Sequence, residues 1–145
     1  MIYNCDSPLM TEAVARELAR RLSGSGIRRA FIALYGEMGV GKTVFTRAFA
    51  DELGAVGVKS PTYTIVNEHR TRQGLPIYHF DLYRIEGADD LESIGYYDYV
   101  ESDGYSIVEW PSRAEGDIPE GAISVTISRV AENDDARVIE ISDFI

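Results

Sequence analysis

Ala30-Phe31-Ile32-Ala33-Leu34-Tyr35-Gly36-Glu37-Met38-Gly39-Val40-Gly41-Lys42-Thr43 decides the fold of this chain. An apolar run of strand length ends at Tyr35, and residues 36–43 then fit the phosphate-binding pattern G-x-x-x-x-G-K-[ST] at every fixed position. The glycines let the backbone curl until successive N–H groups point at phosphate oxygens. Glu37, Met38, Gly39, Val40 and Gly41 form the cradle in this reading, and Val44 opens the helix behind it. Lys42 would reach the β- and γ-phosphates, and the Thr43 hydroxyl would enter the shell of a Mg²⁺ ion. Residues 44–53 are apolar at Phe45, Ala48, Phe49 and Leu53 and stop at Gly54, which predicts an amphipathic helix with a glycine end signal. Strand, glycine loop and helix is the order an anion site needs, because the helix N-terminus adds its own N–H groups and dipole.

Outward from this unit, the spacing predicts one α/β domain over residues 1–145, with a mixed parallel and antiparallel sheet flanked by helices. Ser7-Pro8 predicts a helix start, followed by Met10, Val14, Leu18 and Leu22 at four-residue spacing. Residues 62–69 and 75–81 are β-rich around the polar turn 70–74, which predicts a hairpin. A short helix is expected over 88–94 and a strand over 105–109, and a closing hairpin over 122–130 and 136–141 turns at Asn133-Asp134-Asp135.

Bulk properties narrow the class. The single Cys5 cannot form an internal disulfide, which fits a reducing compartment. No stretch approaches the roughly 18 apolar residues of a membrane span, and the N-terminus lacks a signal-peptide layout. A cytoplasmic protein is expected. The net charge is −10, unevenly spread: residues 1–85 hold 11 basic and 8 acidic side chains, and residues 86–145 hold 3 and 16. So acidic a half repels a nucleic acid backbone, which selects for basic patches. It serves either as a solvated surface or as a dock for a basic protein partner.

Nucleotide hydrolysis needs carboxylates beside the phosphates, to hold Mg²⁺ or its waters and to orient the attacking water. Asp81 and Glu109 close two apolar strands, and in open α/β sheets ligands bind at those strand ends. Spacing does not say which of the two touches metal; a strand-end acid can also cap a helix or pair with an arginine such as Arg84. Ser60-Pro61-Thr62 could contact a γ-phosphate and register its loss, as switch loops do, or could be an ordinary turn. His79 reads as a packed strand residue and His69 as an exposed one. With no Asn-Lys-x-Asp run to read guanine, ATP is the expected nucleotide.

Four ordered segments carry a resemblance: residues 36–43, Ser60-Pro61-Thr62-Tyr63-Thr64, Tyr78-His79-Phe80-Asp81-Leu82-Tyr83-Arg84 and Val108-Glu109-Trp110-Pro111. Together they resemble the TsaE family, the bacterial ATPases of threonylcarbamoyladenosine tRNA modification. The resemblance implies a P-loop ATPase, slow alone, that works with TsaB and TsaD and meets tRNA only through them. It implies that Lys42 and Thr43 hold phosphates and Mg²⁺, that Glu109 is the acidic metal-site residue and that Asp81 is a second essential acid. By the same likeness Thr62 contacts the γ-phosphate, Trp110 lies beside the site, and Thr11 and Arg129 border the adenine. Two other readings of the loop stay open: a small-molecule kinase, for which the three arginines after residue 85 make a thin lid, and a nucleotide-gated interaction module without catalysis.

Overall fold

The apolar run before the glycine loop forms a central strand, buried on both faces as a parallel strand must be. The computed structural model describes residues 1–55 and 66–142. In chain order the elements are β1 (Ile2–Cys5), α1 (Pro8–Gly24), β2 (Arg29–Tyr35), α2 (Lys42–Glu52), β3 (Val66–Arg70), β4 (Pro76–Asp81), α3 (Ala88–Ser93), α4 (Tyr96–Glu101), β5 (Gly104–Glu109), a 3₁₀ segment Pro111–Asp117, β6 (Ile123–Val130) and β7 (Asn133–Ile141). The strands form one seven-stranded sheet in the order β1-β7-β6-β2-β5-β4-β3. Strands β6, β2, β5 and β4 run parallel, and β1, β7 and β3 pair antiparallel at the flanks. The mixed sheet expected from the chain is therefore present.

Two apolar layers cover the sheet. On one face α1 and α2 contribute Val14, Leu18, Leu22, Phe45 and Phe49 against Ile32, Leu34, Ile77, Tyr105 and Ile107. On the other, Leu91 of α3 and Tyr96 of α4 meet Phe31, Ala33, Phe80 and Val108. Alternation along each strand sends odd positions of β4 and β5 to the α2 face and even positions to the other. Helices α1 and α2 are further joined by exposed pairs, Arg16 to Asp51 at 2.9 Å and Arg20 to Glu52 at 3.2 Å.

Several details differ from the sequence expectation. Ser7 precedes α1 with Pro8 at its first turn, but its side chain makes no capping bond; the Ser7 carbonyl accepts from the N–H groups of Met10 and Thr11 instead. Met10, expected in the apolar stripe, is 42% exposed, and Thr11 takes the buried place at 3%. The last hairpin turns at Ala131-Glu132, with Glu132 at φ +72°, and Asn133 already pairs with Val130. Thus Asn133-Asp134-Asp135 begin β7 rather than forming the turn. His69 is half-buried, not exposed, and burial and the neighbouring His79 hold its imidazole below the usual histidine range. The first part of the expected strand 62–69 lies outside the described residues. Among the described residues no helix is long and apolar enough to cross a membrane.

Candidate functional site at the glycine loop

The loop between β2 and α2 owes its path to three glycines with positive φ: Gly36 at +154°, Gly39 at +76° and Gly41 at +116°. The Val40 N–H turns back to the Glu37 carbonyl at 3.2 Å. Gly41 is the residue before α2, so the first N–H groups of that helix open into the loop. Lys42 is 6% exposed, and its Nζ donates to the Gly36 carbonyl at 2.8 Å. The same ammonium lies 4.6 Å from the centre of the Trp110 ring, a cation–π distance.

Strand pairing brings the two acids together. Asp81 of β4 and Glu109 of β5 are direct register partners on adjacent parallel strands. Both line a cavity of about 340 Å³ with Gly41, Lys42, Thr43 and Trp110. Among the described residues Asp81 neither pairs with Arg84 nor caps a helix; its Oδ1 accepts from the Tyr83 N–H at 3.0 Å. Trp110 has φ +57° and ψ +49°, an uncommon conformation for so bulky a residue, and its ring lies against Tyr83 with centroids 5.0 Å apart. The indole is part of the cavity wall, beside Lys42.

A sequence model of the family "Threonylcarbamoyl adenosine biosynthesis protein TsaE" matches residues 5–139. The chain belongs to the TsaE family. It is 43% identical over 111 residues to the tRNA threonylcarbamoyladenosine biosynthesis protein TsaE of Haemophilus influenzae, a match covering 76% of this chain and 68% of that one. The protein of the same description from Bacillus subtilis is 34% identical over 129 residues, covering 88% and 77%. The crystal structure of Bacillus subtilis YdiB superposes with a TM-score of 0.75 at 28% identity, covering all of this chain (100%) and 86% of that one. Family membership ties the chain to threonylcarbamoyladenosine biosynthesis for tRNA.

The remaining site residues expected from the TsaE resemblance fall in different places. Thr11 lines a second cavity, of about 170 Å³, with Pro8, Val40, Val44, Asp134 and Arg137. Arg129 is not among its walls. It donates to the Met38 carbonyl at 3.3 Å and lies 3.8 Å from the Glu37 carboxylate, on the loop's outer side. Thr62, with Ser60 and Pro61, lies outside the described residues.

Two residues enter the site that the motifs did not single out. Arg137 Nε donates to the Val40 carbonyl at 2.7 Å, tying β7 to the loop. His79 Nε2 is 2.6 Å from Glu109 Oε2, with side chains 1% and 9% exposed. The signal available for His79 was its place two residues before Asp81, on the same face of β4. Arg137 had no local signal, because its partner is 97 residues away.

The donor set suits a hard cation. The Thr43 hydroxyl and the Asp81 and Glu109 carboxylates offer oxygen only, which Mg²⁺ prefers. No group of three His, Cys, Asp or Glu side chains forms a metal cage among the described residues.

Proposed function

We propose that the chain binds Mg-ATP at the glycine loop and hydrolyses it for a TsaB–TsaD complex that modifies tRNA in the cytoplasm. The observation that carries this reading is the register pairing of Asp81 with Glu109 on a cavity shared with Lys42 and Thr43. Loop N–H groups and Lys42 would hold the β- and γ-phosphates, with Lys42 leaving the Gly36 carbonyl to do so. Thr43 and Glu109 would hold Mg²⁺, and Asp81 would orient water or the ion's water shell. The metal supplies neutralisation of charge across the transferring phosphoryl group. The Thr11 cavity, on the far side of Gly39–Gly41, is where a base would lie.

The late arginines favour this reading over a kinase. Arg113 lies over the Tyr83 ring at 5.8 Å, and Arg129 and Arg137 bond the loop's own carbonyls. None of them is held out as a lid over an acceptor. A net charge of −10 also favours a protein partner over direct contact with tRNA.

The test is ATP hydrolysis by the purified chain, alone and with the TsaB–TsaD pair. Stimulation by the pair is expected. Glu109→Ala should lower turnover about 100-fold or more while ATP binding stays within a few-fold, and Lys42→Ala should lose binding itself. An unstimulated rate together with no co-purification of the pair would sink the proposal. ATP binding that supports tRNA modification in Glu109→Ala as well as in the parent would leave a nucleotide-gated module without catalysis.

A further inference from the structure

His79 stands where packing asks for an apolar side chain. Its neighbours on the same face of β4 and β5 are Ile77, Tyr105 and Ile107, which are 0%, 2% and 0% exposed, and His79 itself is 1% exposed. An imidazole in that place loses its hydration, and its Nδ1 is buried with no hydrogen-bond partner among the described residues. Burying a polar atom without a partner costs stability, and a leucine would fill the position without that cost. The only bond the ring makes among the described residues is the one from Nε2 to Glu109 Oε2, at 2.6 Å. A carboxylate can only accept, so Nε2 carries the hydrogen.

The register explains the geometry. His79 pairs with Ile107, two residues before Glu109, while Asp81 pairs with Glu109 itself. All three polar side chains therefore share one face, and His79 approaches Glu109 from the sheet interior. Glu109 and Asp81 line the cavity beside Thr43, and His79 does not. Among the described residues, the side chain that joins His79 to that cavity is Glu109.

We propose that His79 is a positioning residue: its Nε2–H fixes Glu109 Oε2 and so aims Oε1 at the cavity. This rests on the reading of Glu109 as an acid of a Mg-ATP site. A glutamate at a strand end has three side-chain torsions, and one short, buried, charge-assisted bond selects a single carboxylate orientation. Hydrogen bonds of this kind behind a working carboxylate change turnover or metal affinity by about 10–100-fold when removed. Ground-state binding of ATP, which draws on the loop N–H groups and Lys42, does not depend on it.

The experiment compares His79→Gln with His79→Asn in the full chain with its partners. Both amides are polar and carry a similar burial cost, but only glutamine places an N–H near the position of Nε2. Asparagine should lower kcat about 10–100-fold with KM for ATP unchanged within about threefold, and glutamine should recover most of the loss. Mn²⁺ titrated in the presence of ADP and followed by paramagnetic resonance should bind more weakly to His79→Asn than to His79→Gln. ADP affinity without divalent metal, followed by fluorescence of Trp110, the single tryptophan, should be the same in both. Equal kcat in the two variants and the parent, or a loss that follows the fall in Tm equally in both, would overturn the proposal. A parent chain that neither hydrolyses ATP nor binds Mn²⁺-ADP overturns the Mg-ATP reading first and this inference with it. If neither variant folds, the parent answers directly. Its His79 Nε2–H should give a downfield, slowly exchanging proton resonance that Glu109→Ala abolishes, and persistence of that resonance in Glu109→Ala refutes the pairing.

Discussion

Gly36 has φ +154°, and a Cβ built there would stand 2.7 Å from Val40 Cγ1 and 2.8 Å from the Ile127 carbonyl oxygen. One contact is a side chain in the core and the other is backbone of β6, so neither can move aside cheaply. Gly36→Ala should therefore cost about 1–3 kcal/mol of stability through a strained backbone and weaken nucleotide binding, read by thermal melting and ADP titration. A variant with unchanged Tm and unchanged affinity would show that the loop accommodates the methyl group. At this scale the chain was legible where a residue's role depends on its neighbours in sequence. Gly36, Gly41, Lys42 and Thr43 announce themselves by spacing. His79 did not, because alternation with Tyr78 and Phe80 reads as packing, and its bond to Glu109 crosses 30 residues.

The β6–β7 hairpin does more than complete the sheet. Arg129 and Arg137 are direct cross-strand partners, an arrangement of like charges that costs stability unless each finds its own acceptor. Both do: the Met38 carbonyl at 3.3 Å and the Val40 carbonyl at 2.7 Å. The hairpin thereby fixes the outer wall of the glycine loop. Arg137→Leu should cost about 2 kcal/mol, the scale of a hydrogen bond to a charged group, and weaken nucleotide affinity several-fold. Arg129→Leu should do less, since its bond is longer and its side chain more exposed. Calorimetric melting and nucleotide titration of the two variants check the order; equal effects would contradict it. The element itself was readable from its β-rich runs. Its turn was misplaced by about two residues, because the bulge between Arg129 and Val130 lets Asn133 enter the strand.

Across the whole molecule, the central strands β2, β5 and β4 carry the loop and both acids, and two cores clamp them from either side. Ile107 is fully buried between Tyr105 and Glu109 on the α2 face. Ile107→Ala should cost about 3 kcal/mol and lower Tm by roughly 10 °C for a chain of this size. It should reduce turnover only modestly at 20 °C, because it leaves the strand's pairing intact. A loss of ATP hydrolysis much larger than the unfolded fraction would show that the core beneath Glu109 also sets the carboxylate's position.

The sequence by itself determined the β2–loop–α2 unit, the strand-end places of Asp81 and Glu109, and the kind of sheet. Each depends on apolar periodicity, glycine spacing and turn residues within a short window. The tertiary structure alone decided the strand order, and with it which strand-end acids face each other. It also decided that Tyr96–Glu101 is helical, where a tyrosine-rich stretch of strand-like composition packs Tyr96 edge-on to Phe31 and Phe80 at 6.3 and 5.6 Å. The same holds for β1, a four-residue strand made by pairing with β7. In all three cases the deciding contacts join residues far apart in the chain, and no local pattern carries their energy.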